Sequence, residues 1–208
     1  LGSRYHDERY LSELRGAFSK QDAYDYPDTS GRDQSADRLY TRQYTLNWVN
    51  SVKLDESWTL GGGADWQRDM LDDSSRSSGV AFPSDADERD NTGLYALAQF
   101  DNQVWQAELS GRSDDNEQFG RHNTWQTGAG WRFVEDYRLS ARYGTGFRAP
   151  SFNDLYYPGS GNPDLKPEES KSHELMLDGQ TAGVEWRLTG YRNDFEQMIQ
   201  WAPDSQGM

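Results

Sequence analysis

The chain has 208 residues, 34% of them hydrophobic, and contains no run of about 20 apolar residues of the kind that a membrane helix needs. Its 35 acidic and 21 basic side chains give a net charge of −14, which argues against nucleic acid as a partner because phosphates are bound by lysine and arginine. The lack of cysteine excludes disulfides and thiol catalysis, whereas 8 tryptophans and 12 tyrosines favour a folded chain over a disordered one.

The predicted elements are β-strands in which apolar and polar residues alternate. A weak strand near residues 9–20 is followed by a clear one at residues 40–52, where Tyr44, Leu46 and Trp48 share one face. The same alternation predicts strands at residues 58–67, 94–100, 105–112, 125–133, 137–148, 173–177 and 184–189. About nine strands are therefore expected, and no segment has a helical repeat.

The predicted connections alternate in length along the chain. Short turns are expected at residues 53–57, 101–103, 134–136 and 178–181, and longer polar connections at residues 21–38, 69–91, 113–122 and 149–171. Long connections at one end only are typical of outer-membrane barrels, which have short periplasmic turns and long extracellular loops. We therefore predict an all-β fold, a segment of an antiparallel transmembrane β-barrel in the bacterial outer membrane, with its apolar side chains in contact with lipid.

A soluble β-sheet binding module is the alternative of another class, since antiparallel sheets often have one wet face. Such a module would bury Trp48, Trp66 and Trp131 together in one dry core. The asymmetry of the connections favours the barrel.

The connection at residues 21–38 is acidic and contains Asp22, Asp25 and Asp33. Calcium binds six to eight hard oxygen ligands, so closely spaced carboxylates on one loop are a candidate metal site. The spacing does not match an EF-hand loop, and a solvated acidic loop is the alternative explanation. The acidic residues of 69–91 are interpreted as an exposed loop, and the proline-rich residues 144–171 as a structured loop.

Catalysis finds little support in the sequence. The three histidines form no HExxH arrangement, and neither a GxSxG elbow nor a phosphate-binding Walker loop is present. Glu168 and Glu169 are neighbours in an exposed, proline-rich segment, where a solvated pair is the simpler explanation. We therefore predict that the protein is not an enzyme.

Two motifs resemble the signature of TonB-dependent outer-membrane receptors. They are Phe147-Arg148-Ala149-Pro150 at a strand end and the run NPDLKPE at residues 162–168. Within that family, residues 111–131 and 181–194 are similar to the cobalamin-transporter branch. The resemblance implies a barrel of about 22 strands with a plugged lumen, which is the size class of such transporters.

The resemblance also implies the ligand and the partners. Cobalamin is the expected ligand, with a siderophore or haem as the alternative, and aromatic and polar outer-loop residues are expected to bind it. The candidates are Tyr24, Asn116 and Arg121. Calcium is expected to order the acidic loop through Asp22 and Asp33, with Asp25 as a third ligand.

The family further implies that import is driven by the TonB energy-coupling protein acting on a plug. The plug and the closing C-terminal strands are expected outside this chain, so that residues 1–208 form part of the barrel domain. Phage or colicins are further partners that the family implies.

Overall fold

The computed structural model describes residues 1–26, 36–75, 88–157 and 160–200. These residues form ten β-strands and one short helix, α1 (Phe152–Tyr156), which lies between the eighth and ninth strands. The strands are β1 (Gly2–His6), β2 (Tyr10–Asp25), β3 (Asp37–Lys53), β4 (Trp58–Ser75), β5 (Glu88–Asp101), β6 (Trp105–Asn116), β7 (Gly120–Val134), β8 (Tyr137–Arg148), β9 (Glu168–Thr181) and β10 (Val184–Glu196). Among these residues no helix is long and apolar enough to cross a lipid bilayer.

All ten strands form one antiparallel sheet, in which each strand pairs with its neighbours in sequence order. The all-β prediction is confirmed, and the nine predicted strands correspond to β2 through β10. The tenth strand, β1, was not predicted, because its sequence, GSRYH, has no alternation of apolar and polar residues. It pairs Gly2–His6 with the start of β2.

The sheet has an apolar face and a polar face. Trp48 of β3 pairs with Leu14 of β2 and Ala64 of β4, and Leu109 of β6 pairs with Ala98 of β5. Paired residues point to the same side of a sheet, so these side chains form one continuous surface, called here the apolar face. The residues between them form the polar face.

The apolar face is uncovered along the described strands. Trp48 is 50% exposed and Trp131 is 44% exposed, while Leu188 reaches 67%. A soluble module would bury these side chains under a second layer. The described sheet has the exposed apolar surface that a lipid-facing wall requires.

Aromatic side chains form two bands on the apolar face. One band lies at the end with the short connections, called the turn end, and the other lies towards the opposite end, called the loop end. Ring pairs at centroid distances of 4.9 to 5.4 Å mark both bands, as expected where amphipathic rings meet the two surfaces of a bilayer. The pairs are Trp58 with Phe100 and Trp105 with Trp131 at the turn end, and Phe18 with Tyr44 and Trp125 with Tyr143 at the loop end.

One device closes three of the tight connections at the turn end. Asp7, Asp55 and Asn102 each accept two backbone N–H groups of the turn through the side-chain oxygen, and the second donor is the first residue of the next strand. These Asx turns reverse the chain within a few residues. The N–H groups of Arg9 and Tyr10 also hold the pKa of Asp7 below its usual value, because both bonds favour the carboxylate.

The strands extend further at the loop end than the sequence predicts. The prediction of a long connection at residues 113–122 is wrong, since β6 continues to Asn116 and β7 begins at Gly120, which has φ +78°. Asn116 Oδ1 accepts the N–H groups of residues 118 and 119 at 3.2 and 3.1 Å and closes the turn. A polar sequence does not by itself indicate a loop, because the backbone of two strands can pair beyond the apolar region without apolar side chains.

Candidate functional site

A cavity of about 780 Å³ lies where the polar face reaches the loop end. Its walls come from β2 to β6 and from Phe147 at the end of β8. The first residues of the connection between β8 and β9 form one side, and the described residues of that connection, 149–157 and 160–167, are called here the inner loop. Six of the side chains that line the cavity are amides, which both donate and accept hydrogen bonds, so this part of the lining suits a large neutral polar ligand. The amide side chains are Gln21, Gln43, Gln67, Asn91, Asn116 and Asn153.

Arg112 forms the charged part of the cavity wall. Its Nη1 and Nη2 donate to the two carboxylate oxygens of Asp65 at 2.6 and 2.8 Å, and its Nε donates to Asp114 at 2.7 Å. Gly93 leaves the space for this guanidinium, because a Cβ there would lie 2.0 Å from Arg112 Nη2. Bidentate pairing holds the side chain in one position, and this group has one more carboxylate than it has guanidinium.

The inner loop folds onto the polar face instead of away from the sheet. Its helix α1 begins with a capping box, in which the Ser151 hydroxyl accepts the N–H of Asp154 and the Asp154 carboxylate accepts the N–H of Ser151. Phe152 packs with Leu39 and Leu71 of β3 and β4 in a buried cluster. The inner loop therefore runs from the end of β8 across the polar face to β3 and β4.

Polar contacts hold the far end of this crossing, near β2 and β4. Ser74 of β4 donates its hydroxyl to the backbone oxygen of Tyr156 at 2.6 Å. Burial, followed by the nearby carboxylates of Asp25 and Asp37, raises the pKa of Tyr157 above its usual value. Its hydroxyl therefore remains protonated at neutral pH and donates to Asp25 at the end of β2.

Arg89 fastens the start of the inner loop. This arginine lies on the polar face near the start of β5 and is only 6% exposed. It donates to the backbone oxygen of Pro150 at 2.9 Å, to Gln118 Oε1 at 3.1 Å and to Asp69 Oδ2 at 3.3 Å. One side chain thus joins β4, the turn between β6 and β7, and the inner loop.

The family model described as TonB dependent receptor-like, beta-barrel matches residues 1–208, which is the whole chain. The chain belongs to the TonB-dependent receptor family. Its sheet is accordingly a stretch of outer-membrane barrel wall, with lipid against the apolar face and the lumen against the polar face. The turn end is periplasmic and the loop end extracellular, as in other outer-membrane barrels.

Among individual TonB-dependent receptors, the chain is 39% identical over 199 residues to the vitamin B12 transporter BtuB of Photobacterium profundum. The match covers 96% of this chain and 31% of that protein. The chain therefore spans about a third of the length of this curated relative.

Solved structures of TonB-dependent receptors share the fold. The ferric enterobactin receptor of Pseudomonas aeruginosa superimposes with a TM-score of 0.73 at 18% identity, over 94% of this chain and 34% of that one. The siderophore receptor PirA of the same species gives 0.61 at 16% identity, over 91% and 43% of the two chains. At these identities the likeness shows the barrel fold alone.

The three predicted ligand-binding residues do not come together in this receptor wall. Asn116 lines the cavity, although its side-chain oxygen already closes the turn after β6. Tyr24 lies on the apolar-face side of β2, where its hydroxyl accepts that of Tyr40 at 2.9 Å. Arg121 also points away from the cavity and pairs with Asp115 at 3.0 Å.

The predicted calcium ligands are similarly divided. Asp22 and Asp25 are three residues apart on one unbroken strand, so they point to opposite faces, and Asp22 pairs with Lys20 at 2.9 Å. Asp33 lies outside the described residues. Within the described ranges no three acidic or histidine side chains meet as a metal site. Asp22 and Asp25 therefore do not fit one shared ion, and calcium remains a prediction that depends on Asp33.

Sequence reasoning missed the residues that organise the cavity. Arg89 falls in residues 69–91, the acidic segment interpreted above as an exposed loop. Arg112 is the last residue of the strand predicted at residues 105–112, and the alternation of polarity there indicates no particular role for it. The alternation of β5, extended upstream from Tyr95 through Asn91, indicates that Arg89 faces the lumen. The spacing of Ser151 and Asp154 is a readable capping-box signal for α1.

Proposed function

We propose that the intact receptor binds cobalamin at its extracellular loop end and imports it across the outer membrane. The supporting observation is the 39% identity to a vitamin B12 transporter over 96% of this chain, which includes the strands that line the cavity. Cobalamin is a large corrinoid with amide groups on its periphery, and the cavity has six amide side chains. Complementary hydrogen bonds between amides suit such a ligand.

Import by the intact receptor is energy-coupled, with the TonB protein acting from the periplasmic side on a plug inside the barrel. The polar lumen face of this chain supplies the wall along which the ligand passes, and no bond in the ligand needs to be made or broken. The receptor therefore works as a transporter and not as an enzyme. The exposed loop end also offers a docking surface for phage or colicins.

Direct binding to the intact receptor tests the choice of ligand. We expect cyanocobalamin to bind to the purified full-length receptor in detergent, with ferric enterobactin and haem as comparison ligands that fail to compete. The physical reason is that the three arginines that line the cavity, Arg42, Arg89 and Arg112, are each paired with a carboxylate, so the described wall has no excess of positive charge for a trianionic ferric siderophore. Competition by ferric enterobactin at equal or lower concentration would show that the siderophore alternative is correct.

A calcium site in the acidic loop is a narrower part of the proposal. Because Asp22 and Asp25 lie on opposite faces of β2, only one of them can share an ion with Asp33. We expect calorimetric titration of calcium into the intact receptor to weaken with Asp33→Asn and with one of the substitutions Asp22→Asn or Asp25→Asn, but not with both. Unchanged calcium binding in all three variants would contradict the assignment.

A further inference from the structure

The tip of the β6–β7 hairpin is paired with β5 on one side, where Asn116 lies opposite Asn91 and the Glu117 N–H donates to the Asp90 oxygen at 2.9 Å, but its backbone pairing with β8 on the other side stops short of the tip. β7 begins at Gly120, but its pairing with β8 begins only at Gln126 opposite Gly144. Beyond that point the Trp125 N–H bonds to the side chain of Thr145 at 3.0 Å. On the β8 side the end of the hairpin is therefore held by side chains, and the His122 ring of β7 stacks on the Phe147 ring of β8 at a centroid distance of 3.8 Å.

Arg89 joins the hairpin tip to the inner loop. Its guanidinium lies 5.6 Å from the ring centroid of Phe119 on the hairpin tip and 5.0 Å from that of Phe152 on α1. It therefore lies between two aromatic rings that belong to different segments. Gln118, which accepts a hydrogen bond from Arg89, donates in turn to the Tyr156 hydroxyl at 3.2 Å.

Removal of Arg89 affects the inner loop more than the sheet. Asp69, its partner on β4, also accepts from Gln43 at 2.8 Å and from Gln67 at 3.0 Å, so this carboxylate keeps two donors without Arg89. Pro150 has a fully buried side chain, and Arg89 donates to its backbone oxygen. A buried carbonyl that loses its donor is costly, so the loop is the element that loses stability.

We propose that Arg89 is a positioning residue that docks the inner loop and the β6–β7 tip against each other across the extracellular mouth, and thereby sets the affinity for the ligand. The positional part depends only on the contacts above. The affinity part rests on the proposed function. For a ligand that needs the docked loop, the apparent Kd is the intrinsic Kd divided by the fraction of receptors in which the loop is docked, so binding weakens as that fraction falls.

The test uses the full-length receptor with a nitroxide label at Asn153→Cys, an exposed position of α1 in a segment of sequence that has no other cysteine. In R89M we expect the label to become mobile while the barrel stays assembled. In unlabelled receptor the Kd for cyanocobalamin should rise about tenfold if the docked fraction falls to about one tenth. An immobile label in R89M would overturn the proposal.

Two further variants complete the experiment. R68M removes an arginine one residue before Asp69 that points to the other face and pairs with Asp90 at 2.6 Å, and it should leave both the label and the Kd unchanged. If R89M does not assemble, R89K serves instead and should give intermediate mobility. Full wild-type immobility in R89K would overturn the proposal, because an ammonium cannot reproduce the forked contacts to three segments. If the wild type fails to bind cyanocobalamin, the proposed function fails while the label result stands.

Discussion

Leu109→Arg is expected to sharply reduce the amount of assembled receptor in the outer membrane. Leu109 is 58% exposed on the apolar face, two residues from Gly111, which pairs with Trp125 of the loop-end aromatic band. An arginine on the lipid side near the middle of the bilayer costs about 2–4 kcal/mol in a transmembrane barrel. The fraction of heat-modifiable, folded receptor in outer-membrane preparations measures this effect.

Ser110→Arg is the matched control for this substitution. Ser110 is the next residue of β6, at the same depth, but it pairs with Leu97 and Gln126 on the polar face. The same charge there lies on the polar lumen face, out of contact with lipid, and should leave assembly close to the wild-type level. Equal loss in both variants, or greater loss in Ser110→Arg, would contradict the assignment of the two faces.

Leu155→Ala is expected to release the inner loop from the polar face without unfolding the barrel. Leu155 is 1% exposed and is among the most buried side chains of the described residues. Truncation of a buried leucine to alanine costs about 2–5 kcal/mol. The backbone hydrogen bonds between the strands do not depend on Leu155, so the sheet should keep its stability while the inner loop loses it. The amides of α1 should then exchange hydrogen about 30-fold faster or more, which corresponds to ~2 kcal/mol.

Hydrogen exchange followed by mass spectrometry measures this change in peptides that cover residues 152–162. Asn153→Ala is the control, since this side chain is exposed on the same helix. It should alter exchange far less than Leu155→Ala does. Uniform acceleration across β3 to β8 in Leu155→Ala would contradict independent docking of the loop and would mean that the loop and the wall unfold as one unit.

Much of the wall could be predicted from the sequence, because lipid on one side and water on the other impose a strict alternation on every strand. In β3, for example, Tyr44, Leu46 and Trp48 lie on the apolar face and alternate with residues of the polar face. Strand ends were harder to predict. Above the membrane the alternation of polarity disappears while the backbone ladder continues, as Asp114 and Asp115 opposite His122 and Arg121 show.

The candidate site was far less predictable, because its contacts join residues that are distant in sequence. Arg89 meets the Pro150 oxygen across 61 positions, and the Ser74 hydroxyl meets the Tyr156 oxygen across 82. No local pattern encodes such pairs. The type of a residue also does not indicate which face of the sheet its side chain occupies. Arg121, a predicted ligand-binding residue, lies in β7 and points away from the cavity.

Energy-dependent uptake of radiolabelled cyanocobalamin tests the central claim most directly. Cells that lack their own cobalamin receptor and carry the full-length protein should accumulate the label, and the accumulation should stop when TonB is deleted or the proton gradient is dissipated. Accumulation that is unaffected by both treatments, or no accumulation above that of receptor-free cells, would contradict the account.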